Sequence, residues 1–334
     1  MSNKALVYPA KHASQFISTE SFPIPTLAPG EVLIKIEYAG LNPVDWKIVK
    51  YGIFIETFPT VLGSDGSGIV VQVADDVSIP KIGDSVFFQG NYSSPKTCTF
   101  QQYAALPAPF VYRLPHNISF EQGATLAVSG ISASVGLFEV LKITPPWVPD
   151  AIAANKDKTV LIWGGSTAAG HLAIQFANLA GVTVIVTASP QYHDSLKKLG
   201  AHHVIDYKAS DVGEQIKALT NGKLTLAFDL VGASTQLIFN LLHPTESSSL
   251  ALLNSDNVTG KEAFPNRHVL PVYGSSFMYA SFAKSFWGYV SDILEKGLLI
   301  PQNFRVLGGL DAVVEGQAEQ IAGKVSSVKL IVKP

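Results

Sequence analysis

The run Ile162-Trp163-Gly164-Gly165-Ser166-Thr167-Ala168-Ala169-Gly170 has the residue types and spacing of a phosphate cradle. It follows the apolar stretch Thr159-Val160-Leu161-Ile162-Trp163 and precedes a segment, Ala169 to Leu179, with helical apolar spacing. In a strand, glycine-rich turn and helix in that order, small residues let the backbone approach a pyrophosphate. Free N–H groups at the helix start then point at its charge. Gly170 would let helix and strand pack closely, while Thr167 stands where such turns usually have their middle glycine. Gly164, Gly165, Ser166, Thr167 and Gly170 are therefore the expected pyrophosphate contacts of a dinucleotide. The alternative is a turn that is glycine-rich for packing alone.

The end of the next strand should show which dinucleotide. An Asp or Glu there would hold the ribose hydroxyls of NAD. The sequence has Thr187-Ala188-Ser189-Pro190-Gln191-Tyr192-His193 instead, with no acid before Asp194. The hydroxyls of Ser189 and Tyr207 could hydrogen-bond a 2′-phosphate, and Lys197 or Lys198 could add positive charge. Ser189, Tyr192 and Tyr207 are thus the expected contacts of this part of the cofactor, and NADPH is expected over NADH. Ser189 as a turn residue and Tyr207 as a strand-end aromatic are the simpler readings of those positions.

These residues need a scaffold. Thr159–Trp163, Val182 to Thr187, His203 to Asp206, Leu224 to Leu230 and Ser249 to Leu253 read as strands. Helices are expected at Ala169 to Leu179, Tyr192 to Leu199 and around Val212 to Leu219. Strands alternating with helices at this spacing make a parallel, doubly wound sheet. The first third has a different texture, with short strands at Val32 to Tyr38, Gly68 to Val73 and Asp84 to Phe88. Ala124 to Leu141 has helix-compatible spacing weakened by Gly130 and Gly136, and Pro145-Pro146-Trp147-Val148-Pro149 is a loop. The tail ends in a strand, Ser327 to Val332. The expected division is 1–122, 123–275 and 276–334, the last completing the first.

With 334 residues, 47% of them hydrophobic and 15% charged, the chain can bury the cores of two domains. A net charge of −2 gives no pull toward nucleic acid or anionic lipid. The absence of a long apolar run argues against a membrane span, and the polar start of the chain points to a cytoplasmic protein. A single cysteine, Cys98, rules out an internal disulfide and a multi-cysteine zinc site. The 8 histidines fall at structural or surface positions and suggest no metal site.

Several further segments, in order along nearly the whole chain, resemble the medium-chain dehydrogenase/reductase superfamily. They are Pro29 to Lys35, Ala39-Gly40-Leu41-Asn42-Pro43-Val44-Asp45, Pro59 to Gly68, Ile82 to Val86, Leu199 to Tyr207 and Phe228 to Gly232. The resemblance implies an α/β fold: a GroES-like, β-rich catalytic domain and a Rossmann domain, doubly wound around a parallel sheet, for the cofactor. Zinc alcohol dehydrogenases of the superfamily carry a cysteine where this chain has Asn42 and a His-Glu pair where it has Ser64-Asp65. The chain is therefore similar to the zinc-free branch of quinone oxidoreductases and enoyl reductases. Asn42-Pro43-Val44-Asp45-Trp46-Lys47 with Gly164 to Thr167 looks closest to fungal enoyl reductases that act in trans on polyketide synthases.

That resemblance implies hydride transfer to the β-carbon of a conjugated carbonyl. It places Asn42 near the nicotinamide ribose or the substrate carbonyl, Gly130 to Ala133 along the cofactor, and Val272, Tyr273 and Gly274 at the nicotinamide amide. Lys47 could polarise a carbonyl or hold the ribose, or be a solvated helix lysine; Tyr51 could transfer a proton or merely line the site. The aromatics Phe277, Tyr279, Phe282, Phe286, Trp287 and Tyr289 are expected in the core, with an edge that could wall an apolar pocket. The substrate expected is a small enone or enal, or an acyl-carrier thioester. The rivals are a quinone reductase and a non-enzymatic NADPH-binding protein, as a monomer or homodimer.

Overall fold

The computed structural model describes residues 2–13, 15–254 and 257–334. The chain divides into two compact units, Met1–Val128 with Ser276–Pro334, and Ser129–Ser275.

The Ser129–Ser275 unit is built on a six-stranded sheet. Its spatial order is His203–Ile205, Thr183–Thr187, Thr159–Trp163, Leu226–Asp229, Ser248–Leu252, Arg267–Pro271, and every pairing is parallel. Val160, Leu161, Ile162 and Trp163 are all buried, which is why this central strand is continuously apolar and does not alternate. The strand order reverses beside Thr159–Trp163, the topological switch point at which such sheets bind ligands.

The sixth strand, Arg267–Pro271, begins with two polar residues and is closed by a proline. Both features suit an edge strand, and the Arg267 guanidinium lies 4.2 Å from the Phe264 ring centre, covering the apolar margin. The helix expected from Ala124 to Leu141 is shorter: Ala127–Ser134 is α-helical and Val135–Val140 continues as a wider π turn. The wide turn contains Gly136, where a Cβ would sit 2.2 Å from the Phe228 ring. Tyr192 ends the short 3-10 turn Pro190–Tyr192, and the α-helix that follows runs from His193 to Lys198.

The other unit is antiparallel for the most part. Its long strand Glu31–Gly40 pairs with Asp65–Val73, with Tyr103–Pro107 and with Lys329–Val332, so a strand from near the chain's end lies beside the middle of the first third. That last strand starts at Lys329 and not Ser327, since Ser327 has φ +57° and breaks the extended run. The break between units falls after Val128 and not after residue 122. Ser67 donates to the Phe120 carbonyl at 2.5 Å, and the Val128 N–H donates to Asp65 at 2.6 Å, tying residues 120–128 to the strand Asp65–Val73. Phe286 and Trp287, in the helix Ala280–Glu295, are buried core residues here, Trp287 packing edge-on against Phe87 at 5.2 Å, whereas Phe277, Tyr279, Phe282 and Tyr289 are half-buried. Among the described residues no helix is long and apolar enough to cross a membrane.

One buried side chain holds the Pro145–Pro149 loop. Asn155 accepts from Thr144 N at 3.1 Å and donates to the Thr144 and Ala180 carbonyls at 2.8 and 2.9 Å. Asn155→Leu would strand these groups, and an unpaired buried backbone group costs about 1–3 kcal/mol. A loss of about 2–4 kcal/mol in urea unfolding is expected, whereas a loss under 1 kcal/mol would show that the loop is held by other means.

Candidate active site

The glycine-rich turn lies at the C-terminal end of the central strand, as a cradle must. Gly164 has φ +100°, a conformation that favours glycine, and its N–H and that of Gly165 donate to the Thr187 hydroxyl and carbonyl. A Cβ at Gly165 would lie 2.1 Å from Val186, and one at Gly170 would lie 2.3 Å from the Gly164 carbonyl. Thr167 explains the irregular motif. It is the N-cap of the helix Ala168–Leu179, its hydroxyl accepting from Gly170 N at 3.0 Å and donating to the Gly164 carbonyl at 2.8 Å. The first-turn amides of Ala168 and Ala169 have no intrahelical acceptor, which leaves them for an anion. Ser166 sits half-buried beside them. Across the switch point, Asp229 accepts from the Val231 and Gly232 N–H groups, both at 2.9 Å, and shapes the facing turn.

Thr187 and Ile205 are paired in register, so Ser189 and Tyr207, each two residues further on, emerge at the same edge of the sheet. Ser189 is half-buried; Tyr207 is exposed, with the Lys208 ammonium 5.6 Å from its ring centre. The nearest downstream carboxylates, Asp194 and Asp206, lie on a helix and past the next strand. Tyr192 is half-buried and accepts from Ser195 at its carbonyl. At the far strand, Val272 is buried with its N–H bonded to Leu252, and Gly274 is packed so closely on Ser132 that a Cβ would meet the Ser132 hydroxyl at 2.0 Å. Ser132 and Gly274 thus form a second cluster of this unit. Glycines at the close approaches and uncapped first-turn amides fit the pyrophosphate of a dinucleotide.

In the other unit Asn42, Lys47 and Tyr51 are gathered by one helix, Pro43–Tyr51. Asn42 is its N-cap, with Pro43 at the position where a missing N–H is harmless. The Asn42 N–H donates to Asp45 at 2.7 Å. The Asn42 side chain turns inward: Nδ2 donates to Asp65 Oδ2 at 2.9 Å and Oδ1 accepts from Lys329 Nζ at 2.5 Å. Lys329 also pairs with Asp65 at 2.8 Å, and both side chains are almost wholly buried. Gly40 lies in the strand between them; a Cβ there would meet the Ala124 carbonyl at 2.3 Å and crowd Asp65 at 3.0 Å and Lys329 at 3.1 Å.

Lys47 is half-buried, not a solvated surface lysine, and burial holds its pKa below the ordinary lysine range. Its ammonium lies 5.8 Å from the Trp46 ring centre. Tyr51, at the last helical position, is 54% exposed, its ring 6.3 Å from that of Trp46. Asp45 is buried with Tyr92 donating to it at 2.6 Å. Burial pushes its carboxyl up to about 7, opposed in part by the bonds from Tyr92 and Asn42 and by Lys329.

Lys329, Asp45 and Tyr92 were not singled out by the sequence reading, and Asp65 entered it only as standing where zinc enzymes carry a ligand. Lys329 did leave a trace, as a lone charge in the otherwise apolar run Leu330-Ile331-Val332. Zinc does not suit this centre. The Ser64 hydroxyl is committed to the Gly90 carbonyl at 2.8 Å, Asn42 is an amide, and the cation beside Asp65 is Lys329. Burial also pushes the Cys98 thiol far up, away from the thiolate a metal needs. Among the described residues no group of at least 3 His, Cys, Asp or Glu is placed to hold a metal ion.

Comparison with known proteins agrees with both units. Residues 28–116 match the family described as alcohol dehydrogenase GroES-like domain, and residues 168–288 match that described as zinc-binding dehydrogenase. The trans-enoyl reductase ACTTS2 of Alternaria alternata is 33% identical over 339 residues, covering 95% of each chain. The enoyl reductase component lovC of the lovastatin nonaketide synthase, from Aspergillus terreus, is 29% identical over 93% of this chain and 91% of its own. Among solved structures, a quinone oxidoreductase of Pseudomonas syringae pv. tomato DC3000 superposes with a TM-score of 0.83 at 23% identity, covering 99% of this chain and 100% of its own. The CurK enoyl reductase gives 0.81 at 19% identity, covering 100% and 99%.

The Asp45 carboxyl sets a pH dependence of stability. Folded, it keeps its proton up to about pH 7, whereas an unfolded aspartate releases it near pH 4. Between those values the folded state binds more protons, so this contribution to stability falls as pH rises and is flat above pH 7. The unfolding free energy of the wild type, relative to Asp45→Asn, is expected to drop by up to about 1.4 kcal/mol per pH unit through that window. A difference that is constant from pH 5 to 8 would mean that Asp45 is already ionised when folded.

Proposed function

Because the chain belongs to the medium-chain dehydrogenase/reductase superfamily, an oxidoreductase family whose Rossmann domain binds a nicotinamide cofactor, we propose that it is an NADPH-dependent, zinc-independent reductase of activated C=C bonds. The substrate class is an enone, an enal or an enoyl thioester on an acyl carrier. The observation that carries this reading is the close-packed Gly164–Gly170 cradle with no carboxylate at the end of the neighbouring strand. The trans-enoyl reductase relatives, alike over nearly the full chain, support the choice of reaction.

Gly164, Gly165, Ser166, Thr167 and Gly170 hold the pyrophosphate, and Ser189, Tyr192 and Tyr207 take the 2′-phosphate side. Val272 and Gly274, beside Ser132, receive the nicotinamide end. When bound, the nicotinamide supplies a hydride to the β-carbon of the conjugated carbonyl. The chain's own residues must then orient the substrate and manage charge on its carbonyl oxygen. Lys47 suits the proton-handling role, since partial burial lowers its pKa and so makes its ammonium a readier donor than a solvated lysine. Tyr51 is the second candidate donor, and Asn42 contributes an amide N–H. The soluble, cytoplasmic setting and the monomer or homodimer state expected from the sequence go with this reading.

NADPH is expected to bind at least tenfold tighter than NADH in fluorescence titrations, a difference of about 1.4 kcal/mol. Equal affinities would remove Ser189 and Tyr207 from the cofactor site. On an active enone, Lys47→Ala is expected to lower kcat by about 10²-fold with NADPH affinity unchanged, the usual cost of losing a preorganised donor. Tyr51→Phe tests the second candidate donor in the same assay. Wild-type turnover in both variants would assign proton delivery to water, and weaker NADPH binding in Lys47→Ala would make the lysine a cofactor ligand.

A further inference from the structure

We propose that Lys329 is a positioning residue: its ammonium fixes the Asn42 amide so that the group Asn42 presents to a ligand is an N–H donor and never a carbonyl acceptor. This rests on the reading of the chain as a reductase of the C=C bond of conjugated carbonyls, and it assigns the part played by the buried centre of the GroES-like unit.

An asparagine amide can be turned over with little change of shape, exchanging its acceptor for its donor. Here the two ends are told apart by their neighbours. Oδ1 faces the Lys329 ammonium, which has only hydrogens to offer, and Nδ2 faces the Asp65 carboxylate, which only accepts. A turned-over amide would set Nδ2 against the ammonium and Oδ1 against the carboxylate, two repulsions in a buried place. Asp65 cannot be displaced to relieve them, because its other oxygen is held by the Val128 N–H at 2.6 Å. The amide is thus locked in one sense.

Nδ2 carries two hydrogens, of which Asp65 takes one, so the second N–H is the edge of Asn42 that remains. A cation on Oδ1 draws electron density from the amide and makes that N–H a better donor, as chained hydrogen bonds do. A donor of fixed orientation suits an oxygen on which negative charge grows as a conjugated carbonyl is reduced. It suits a substrate whose polar atom must donate much less.

The pair also has to be tolerated. A lysine and an aspartate are both taken out of water here, which an apolar pair of similar size would avoid. Gly40 keeps the space across which they meet. An arrangement that only filled volume would need neither charge.

The test replaces the pair with neutral groups of similar size, Lys329→Met with Asp65→Asn, which removes both charges and leaves neither one unpaired. In urea unfolding and NADPH titration this double variant is expected to resemble the wild type. Its kcat on an enone is expected to fall at least tenfold with little change in KM. Asparagine-selective 15N labelling, with Asn42 assigned by its loss in Asn42→Asp, gives a readout independent of the reaction. The Asn42 side-chain amide should exchange slowly with solvent in the wild type and faster in the double variant. Turnover within twofold of the wild type in a folded double variant, or unchanged Asn42 amide signals, would overturn the proposal. If the double variant does not fold, Lys329→Arg keeps a cation on Oδ1 and is expected to retain the slow amide exchange and most of kcat; fast exchange with full turnover would overturn it. A wild type that reduces no conjugated carbonyl would defeat the functional reading alone, since the amide exchange still decides whether Lys329 locks Asn42.

Discussion

Two opposite charges buried against each other set the terms for the GroES-like unit. Lys329 and Asp65 meet at 2.8 Å with almost no exposure to water, and removing either partner of such a pair costs about 3–5 kcal/mol because the other is left bare. Around that pair the sheet register must bring three strands into line, with Gly40 of the middle strand beside Asp65 on one side and Ile331 on the other. The middle residue is a glycine, where a Cβ would meet the Ala124 carbonyl at 2.3 Å and press on Asp65 and Lys329 at 3.0 and 3.1 Å. The helix Pro43–Tyr51 starts directly after that strand, so the same pair anchors the N-cap of the helix that carries Lys47 and Tyr51. Charge, register and helix position are one constraint seen at three scales.

The cofactor unit obeys a different constraint, closeness of backbone to backbone. Gly165 and Gly170 leave room that any side chain would fill, and Thr167 closes the turn by bonding both to Gly164 and to Gly170. Substituting threonine for the customary glycine therefore keeps the turn's shape and adds a cap. The amides left over at the helix start are what a pyrophosphate requires.

These two constraints differ in how far they show in a sequence. The strand Thr159–Trp163, its turn and its helix are consecutive, so local apolar spacing and a cluster of glycines reveal them. The lysine–aspartate centre joins residues from opposite ends of the chain, and nothing local marks Lys329 except a charge standing in an apolar strand. Asn42 was picked out through resemblance alone, and its side chain turns toward Asp65 and Lys329, a direction that depends on register between distant strands. For Lys47 the sequence left a carbonyl or ribose contact and a solvated lysine both open, because helix spacing alone does not show what packs over it; it is half-buried.

The central claim, reduction of a conjugated C=C bond by NADPH, is tested most directly by following the transferred hydrogen. NADPH carrying deuterium at the transferring position would be supplied with an α,β-unsaturated ketone, and the product read by mass spectrometry and NMR. One deuterium on the β-carbon and an intact carbonyl are expected. Deuterium on the carbonyl carbon, giving an allylic alcohol, or a product with none, would contradict it.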